Sequence, residues 1–325
     1  MTRYLAIDGG NSKTDVVVGT GDGRVVAYAR GGGTYYQSIG LAETMARLRR
    51  LVDRVRAESG VTTFDRADIF LAGADLPAEV DMLSAAVAAE GWTSMLRLDN
   101  DTFARLRAGT DTPDAVAVVC GAGINCVGRT DDGRSARFPS LGRLSGDWGG
   151  GGHLSSETLW RAVRGEDGRG PATALAPAIA DHFGQSSVDE VAAGIHLGAL
   201  NAARLSDLTP LLFDVAAAGD PVARSIVARQ ADEIIVLATV AARRLDLLGS
   251  PFDVVLGGGV LRARHPLLIG PVTRGIVDLA PKATVTVVEQ PPVLGAALSS
   301  LDGLGAGTQA HAAVRAAMQS AHPAP

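Results

Sequence analysis

The amino-acid sequence predicts an α/β protein of two domains, and three observations support this fold class. At 325 residues the chain is longer than one hydrophobic core comfortably serves. Aromatic residues make up only 4% while glycine and alanine are abundant, which suits closely packed helices and strands. An apolar strand, a glycine-rich turn and a second apolar strand occur near residue 4 and again near residue 115, which indicates an internal duplication.

The first copy reads "YLAIDGGNSKTDVVVGTGDG" and predicts strands at residues 4–7 and 14–19. The turn Gly9–Gly10–Asn11 needs backbone angles that glycine and asparagine adopt readily. The exposed amides of such a turn can hold an anion. An ordinary hairpin turn explains these glycines equally well.

The second copy, "AVAVVCGAGINCVGRTDDGR", begins at Ala115. Each copy ends in Asp-Gly-Arg, and the Asp22-Gly23 and Asp132-Gly133 pairs are strong hairpin signals. The turn at residues 121–125 is weak evidence by itself. Two such turns in duplicated units, however, could close on one polyphosphate from both sides.

The remaining elements follow from apolar spacing. Helical periodicity connects Leu41, Met45, Leu48, Val52 and Val55. A strand at 69–72, a helix at 77–90, a strand at 95–98 and a helix from residue 102 follow in order. The second half is rich in helices from 154 to 248, then predicts strands at 254–256 and 285–288 and a helix at 292–301. From residue 303 we expect a frayed helix or disorder.

Several function classes are disfavoured by composition. A net charge of −5 offers no basic surface for nucleic acid or an anionic membrane. No signal-like segment and no apolar stretch of about 18 residues occurs, so we expect a cytoplasmic protein. Cys120 and Cys126 flank one glycine-rich turn; a disulfide could join them, but reduced, buried thiols fit a cytoplasmic protein better. The six histidines show no metal-ligand spacing, and no Walker A or G-x-S-x-G motif is present.

Two acidic positions at strand ends could carry chemistry. Asp8 could hold a hydrated Mg²⁺ while the turn amides and Lys13 meet phosphate oxygens, although Lys13 could equally be a solvated surface charge. In "LDNDTFARLRAG", clustered carboxylates raise one another's pKa, which suits a general base that accepts a hydroxyl proton. Asp101 could equally be a plain helix N-cap.

Two further glycine-rich segments have both a binding and a structural interpretation. Gly257–Gly258–Gly259 would let a nucleotide base and ribose approach the backbone, or would serve tight strand–helix packing. In "GRLSGDWGGGGHLSSETLW", four glycines precede a predicted helix whose N-terminus attracts anions. Asp147 could bind a sugar hydroxyl or amide there, while a flexible interdomain loop would explain the same glycines.

The ordered motifs carry a family resemblance. "DGGNSKT" at residue 8 and "GAGIN" at 121 resemble the two phosphate motifs of the sugar kinase/Hsp70/actin superfamily, and "LGGGV" at 256 resembles its adenosine motif. With "LAGADLP" at 71, "NDTFARLRAGT" at 100 and "GDWGGGG" at 146, the chain resembles the BadF/BadG/BcrA/BcrD ATPase family, which includes N-acetylglucosamine kinases. The match extends to about residue 301.

The resemblance implies two ribonuclease-H-like (actin-like ATPase) domains with a nucleotide cleft between them. It places the first domain at 1–112, the second at 113–291 with a helical insertion, and a tail at 303–325. The helix at about 292–302 would pack back onto the first domain. Homodimerisation is expected by family analogy alone.

The resemblance also implies residue roles. Asp101 would be the general base, and Asp8 would hold Mg²⁺ through water. The residues expected to bind ATP are Gly9, Gly10, Asn11, Ser12, Lys13, Thr14, Gly121, Ala122, Gly123, Gly257, Gly258 and Gly259. The residues expected near the sugar are Tyr35, Tyr36, Ala72, Gly73, Asn100, Asn125, Leu141, Gly142 and Asp147.

Departures from animal N-acetylglucosamine kinases fall on the sugar side. Those enzymes have asparagine where Tyr35 or Tyr36 stands, serine at Ala72, Gly-Trp-Gly at 140–142 and Gly-Asp-Glu-Gly at 146–149. The phosphoryl-transfer machinery therefore looks intact, while the identity of the sugar stays open.

The leading hypothesis is an ATP- and Mg²⁺-dependent kinase that phosphorylates an amino sugar, with the 6-hydroxyl implied by resemblance. N-acetylglucosamine ranks first, before glucosamine or another hexose. One alternative is an ATPase that drives a partner reductase or dehydratase, whose relatives hold an iron–sulfur cluster through cysteines; here Cys120 and Cys126 lie inside one hairpin. Another is a ligand sensor, against which the intact Asp8 and Asp101 argue.

Overall fold

The computed structural model describes residues 1–321, and the chain forms two compact units. The first unit comprises Met1–Ala117, Val127–Pro139 and the stretch from Val288 onward. The second comprises Val118–Cys126 and Ser140–Val287. The domain boundaries inferred from the sequence stay a prediction.

The first sheet has five strands, β1 (Arg3–Gly9), β2 (Lys13–Thr20), β3 (Val25–Gly32), β4 (Arg66–Leu71) and β5 (Leu96–Asn100). Their order is β3-β2-β1-β4-β5, with β1 antiparallel to β2 and parallel to β4. Because β1 is central, its residues Tyr4–Ile7 are fully buried. A continuous apolar run is the pattern expected of such a strand.

The second sheet repeats this arrangement with β6 (Ala115–Cys120), β7 (Ile124–Arg129), β8 (Ser135–Arg137), β9 (Phe252–Gly257) and β10 (Ala283–Val287). Its order, β8-β7-β6-β9-β10, matches the first sheet strand for strand. The predicted α/β class and the predicted duplication are confirmed.

The helices divide between the two units. The first unit holds α1 (Tyr36–Ile39), α2 (Leu41–Ser59), α3 (Pro77–Ala88), α4 (Asp101–Gly109), α12 (Pro292–Gly303) and α13 (Thr308–Ala321). The second holds α5 (Gly151–Glu166), α6 (Leu175–Phe183), α7 (Val188–His196), α8 (Leu208–Ala217), α9 (Pro221–Arg244), α10 (Gly259–Arg262) and α11 (Pro266–Leu279).

The core of the first unit lies between the sheet and α2. The predicted apolar stripe of this helix is buried there at Met45, Leu48, Val52 and Val55. The helix ends at Gly60, whose left-handed φ of 69° suits a glycine C-cap. The 3.6-residue period of the sequence therefore predicted the buried face correctly.

The C-terminal segment packs onto the first unit. Helix α12 contacts α4 and β1, and Gly295 lies so close to the carbonyl of Ala104 that a side chain would clash. The expectation of a frayed or disordered tail is wrong for α13, which buries Val314 and Met318. Residues 322–325 lie outside the described part of the chain.

Candidate active site

Asp8 is held at the carboxyl end of the central strand. It lies on β1 opposite Asp15 of β2, and only 5% of it is exposed. Burial raises the pKa of Asp8 to about 7; the charge of Asp101 adds to the rise, and Arg105 opposes it. Asp8 and Asp101, 93 positions apart, are therefore brought close enough for the charge of Asp101 to raise the pKa of Asp8.

Asp101 opens α4 but does not cap it. The N-cap is Asn100, whose side-chain oxygen accepts a hydrogen bond of 2.9 Å from the amide of Thr102. The N-cap position is therefore occupied by Asn100 and not by Asp101. Burial raises the pKa of Asp101 to about 6, against the lowering effect of Arg105 one helical turn further along α4 and of the backbone amides of Thr102 and Asp101.

Charged groups of the neighbouring strand β2 act on Asp8: Asp15 raises its pKa and Lys13 lowers it. Lys13 lies 3.6 Å from the carboxylate of Asp15. The buried Asp15 also accepts hydrogen bonds from Tyr28 at 2.6 Å and from the guanidinium of Arg30. These bonds lower the pKa of Asp15 despite its burial, so it stays a carboxylate. Sequence reasoning missed Asp15, Tyr28 and Arg30 because their pairing depends on the register between β2 and β3.

The first glycine-rich turn presents its amides outward. The amide of Gly10 donates to the carbonyl of Lys13 at 2.8 Å, and the carbonyl of Gly10 accepts from Thr34 at 3.0 Å. Asn11 and Ser12 are exposed, and within residues 1–321 their amides have no hydrogen-bond acceptor. The hydroxyl of Thr14, by contrast, is buried and shares a hydrogen bond with the hydroxyl of Thr34. The turn can therefore offer two amides to an anion.

The candidate sugar residues of the first unit gather around two acids that the sequence did not single out. The hydroxyl of Tyr36 donates to Glu79 at 2.6 Å, and the side-chain amide of Asn100 donates to Asp75 at 2.8 Å. Burial raises the pKa of Tyr35, and the charges of Asp75 and Glu79 add to the rise.

The backbone of Ala72 and Gly73, close to Asp75 and Glu79 in the chain, is held by hydrogen bonds. Ala72 donates its amide to the carbonyl of Gly9 at 2.7 Å, which joins the candidate sugar region to the first turn. The carbonyl of Gly73 accepts from Gln37, and a side chain at Gly73 would collide with that glutamine.

The second glycine-rich turn is fixed by the start of α5. The amides of Gly151 and Gly152 donate to the carbonyls of Gly121 and Ala122 at 2.7 and 2.9 Å. The first two amides of this helix N-terminus therefore bind the turn, while an anion site at the helix N-terminus stays a prediction. Ala122 and Gly123 are exposed, and their amides have no acceptor in the described residues.

The three glycines after β9 differ in their surroundings. A side chain on Gly258, which has a φ of 91°, would collide with the backbone of Cys120, so tight packing explains this glycine. At Gly259 a side chain would meet open space. Gly257 is the last residue of the strand. The structure thus places this motif directly against the end of β6, where the second turn begins.

The other candidate sugar residues of the second unit lie on and near a short 3₁₀ turn at Gly142–Ser145. The hydroxyl of Ser145 accepts from the amide of Leu141 at 2.7 Å and donates to Asp147 at 2.5 Å. The amide of Asp147 in turn donates to Gly142 at 3.0 Å. Asn125 accepts from the amide of Cys126 at 2.7 Å.

The two thiols lie inside the protein. Cys120 and Cys126 are free and fully buried, and burial raises the pKa of both. Within residues 1–321, His, Cys, Asp and Glu form no group of three or more suited to holding a metal. No helix among the same residues is long and apolar enough to cross a membrane.

Comparison with protein families matches residues 5–300 to the BadF/BadG/BcrA/BcrD ATPase family. The chain belongs to this family. It is 25% identical over 263 residues to an N-acetylmuramic acid/N-acetylglucosamine kinase of Clostridium acetobutylicum, covering 80% of this chain and 86% of that one. It is 23% identical to an N-acetyl-D-glucosamine kinase of Dictyostelium discoideum, covering 92% and 98%.

A solved structure from Chromobacterium violaceum, described as a candidate N-acetylglucosamine kinase, superposes with a TM-score of 0.69. Its sequence identity is 21%, and the match covers 92% of this chain and 98% of that one. At this identity the likeness shows the fold. The predicted pair of ribonuclease-H-like domains of actin-like ATPase type is therefore confirmed.

Proposed function

We propose that the protein is an ATP-dependent kinase that transfers a phosphoryl group to a hydroxyl of an amino sugar. The observation that carries the proposal is the placement of Asp101, a buried carboxylate at the first position of α4 whose charge raises the pKa of the buried Asp8. Family membership supports ATP, and the names of the relatives support an amino sugar. N-acetylglucosamine is the first candidate; glucosamine or another hexose is the second.

Asp101 is suited to act as the general base. A base is most effective when its pKa lies near the working pH, and burial raises the pKa of Asp101 to about 6. It would accept the proton of the sugar hydroxyl, proposed as the 6-hydroxyl, as that oxygen attacks the γ-phosphate. Arg105 lowers the pKa of both Asp101 and Asp8, which keeps a deprotonated population near neutral pH.

Asp8 fits a water-mediated Mg²⁺ site. Its carboxylate is almost fully buried and close to a second carboxylate, so a divalent cation would relieve both the burial penalty and the repulsion. When bound, Mg²⁺ would neutralise charge on the transferring phosphate. Asp8 would hold the ion's water shell in place.

Each unit supplies an anion-binding turn. In the first, Asn11 and Ser12 would donate their amides to phosphate oxygens, with Lys13 as the nearby cation. In the second, Ala122 and Gly123 would do the same. The open space at Gly259 suits the adenosine.

The sugar would bind polar groups that the structure already orients. In the first unit, Tyr35 and Asp75 are the proposed contacts, because carboxylates accept hydrogen bonds from sugar hydroxyls. Glu79 supports them: its two oxygens already accept hydrogen bonds from Tyr36, from Gln37 and from the two backbone amides directly before α3. In the second, Asn125 and Asp147 are the proposed contacts.

The test is an ADP-release assay with Mg²⁺-ATP and a panel of N-acetylglucosamine, glucosamine, N-acetylmannosamine, N-acetylmuramic acid and glucose. Asp101→Asn should lower kcat on the preferred sugar by roughly 10²–10⁴-fold and leave ATP binding intact. The matched control is Asp99→Asn, because Asp99 is bound to Arg137 at 3.0 Å. Near-normal turnover of Asp101→Asn would rule out the base, and sugar-independent ADP release would rule out the kinase.

A further inference from the structure

A buried glutamine of α9 supports the loop that precedes α5. Gln230 is 0% exposed, and its side-chain oxygen accepts a hydrogen bond of 3.0 Å from the amide of Gly150. Its Nε2 has no hydrogen-bond partner among residues 1–321. Burying an amide donor without a partner costs about 1–3 kcal/mol, whereas a leucine or methionine would fill the same space at no such cost. The contribution of the carboxamide must therefore come from the hydrogen bond that it does make, with the amide of Gly150.

The loop fits tightly between Gln230 and the second glycine-rich turn. Gly149 has a φ of 133°, and a side chain there would lie 2.7 Å from the carboxamide of Gln230. A side chain on Gly150, which has a φ of 85°, would collide with the backbone of Gly123. The loop therefore touches the glutamine on one side and the turn on the other.

The same loop leads directly into the amides that hold the turn. Gly150 is the N-cap of α5, and the next two amides, of Gly151 and Gly152, bind the carbonyls of Gly121 and Ala122. With these carbonyls fixed, the amides of Ala122 and Gly123 are left without acceptors in the described residues. An unbroken series of short contacts thus joins Gln230 to the amides offered to the phosphates.

We propose that Gln230 is a positioning residue for nucleotide phosphates: it fixes Gly150 and, through the start of α5, orients the amides of Ala122 and Gly123. This inference rests on the proposed function, because it presumes that the second turn binds the phosphates of ATP. Gln230 does not touch the nucleotide. Its effect is confined to ligands that carry phosphate.

The test compares Gln230→Met with the wild type in calorimetric titrations of Mg²⁺-ATP and of adenosine. The variant keeps the side-chain volume but removes the acceptor for Gly150. We expect the Kd for Mg²⁺-ATP to rise about tenfold while the Kd for adenosine and the KM for the sugar at saturating ATP change less than about twofold. A merely structural role would change both nucleotide affinities together.

The matched control is Thr239→Val on the same helix. Thr239 is buried, and among residues 1–321 its hydroxyl bonds only to carbonyls of α9 itself, so this variant should lose stability and keep its ATP affinity. Gly149→Ala disturbs the contact between the loop and Gln230 from the loop side. It should likewise raise the Kd for Mg²⁺-ATP and leave the Kd for adenosine unchanged. This second variant keeps the test possible if Gln230→Met does not fold.

The outcomes separate this inference from the proposed function. A wild-type protein that binds no Mg²⁺-ATP would overturn the proposed function. A wild-type protein that phosphorylates a sugar, together with Gln230→Met and Gly149→Ala variants whose Kd for Mg²⁺-ATP stays within about twofold, would overturn the role of Gln230 alone.

Discussion

Asp8 is placed where its charge is least favourable. Nearly full burial removes its hydration, and the carboxylate of Asp101 repels it, so its pKa rises to about 7. Arg105 and Lys13 lower the pKa but do not cancel these effects. Unfavourable ionisation of this kind is typical of sites that act on charged ligands rather than of structural carboxylates.

The pH dependence of stability follows from this shift. Asp8 binds its proton more tightly in the folded state, so its own contribution to stability is greatest below pH 3.8 and is lost as the pH rises through about 7. The full loss corresponds to about 4 kcal/mol, an upper limit, since one pKa unit is about 1.4 kcal/mol. We therefore predict that Asp8→Asn is more stable than the wild type at pH 8 without Mg²⁺, by about 1–4 kcal/mol.

Chemical denaturation at pH 8 and pH 4.5 checks this prediction. The stability difference between Asp8→Asn and the wild type should shrink at the lower pH, where the wild-type carboxyl is protonated. Added Mg²⁺-ATP should stabilise the wild type more than the variant. A variant that is less stable by the same amount at both pH values would show that the carboxylate makes favourable contacts instead.

Asn100 supports the candidate site through both polar atoms of its side chain. Its oxygen caps α4 and its nitrogen holds Asp75, at 2.9 and 2.8 Å. A direct contact between Asn100 and the sugar stays a prediction. The cap already places Asp101 at the first position of the helix, where the helix dipole favours a carboxylate.

At the scale of elements, each glycine-rich turn is shaped by a neighbouring segment. The second turn is held by the start of α5, and the first by the residues after β3. The amide of Thr34 donates to the carbonyl of Gly10, and Gly33 lies against the carbonyl of Asn11. The carbonyl of Gly33 in turn accepts from Arg47 of α2 at 2.8 Å.

The close contact between Gly33 and the first turn predicts the effect of adding a methyl group at Gly33. A side chain at Gly33 would collide with the carbonyl of Asn11, so Gly33→Ala should displace the first turn. We expect the KM for ATP to rise about tenfold and the melting temperature to fall by several degrees. The control is Gly32→Ala, where the nearest atom lies 3.3 Å away on the flexible side chain of Arg47. Equal KM values for the two variants in steady-state assays would contradict the prediction.

At the scale of the whole molecule, features that depend on neighbouring residues could be predicted from the sequence, whereas contacts between distant residues could not. The two hairpins, their Asp-Gly turns and the apolar stripe of α2 depend on neighbouring residues, so spacing alone predicted them. The bond between Gln230 and Gly150 spans 80 positions. Nothing local distinguishes Gln230 from an ordinary helix residue, because its partner is set by the packing of α9 on the loop before α5.

The C-terminal segment was misjudged for the same reason. Helix α13 is rich in alanine, which gives a weak apolar periodicity, and its burial depends on partners nearly 300 residues earlier, such as Gly23, which lies against the carbonyl of Ala310. Asp302, at the end of α12, belongs to the same C-terminal segment that packs onto the first unit. Its carboxylate binds Arg107 of α4 through two hydrogen bonds of 2.7 and 3.0 Å.

The last prediction concerns this long-range pair. The side chain of Arg107 is only 7% exposed, so Asp302→Asn leaves a buried guanidinium with Asp111 as its remaining carboxylate partner. Because Asp302 itself is 42% exposed, we expect a loss of about 1–3 kcal/mol rather than the full penalty of a broken buried pair.

Urea unfolding measures this loss. The control is Asp278→Asn, because Asp278 is an exposed aspartate of α11 without an ion pair among residues 1–321, and it should change stability by less than about 0.5 kcal/mol. Since Asp101 lies at the opposite end of α4 from Arg107, kcat at 25 °C should stay within about twofold of the wild type. An Asp302→Asn variant as stable as Asp278→Asn would show that Asp111 and the carbonyl of Thr110 satisfy the buried charge without Asp302.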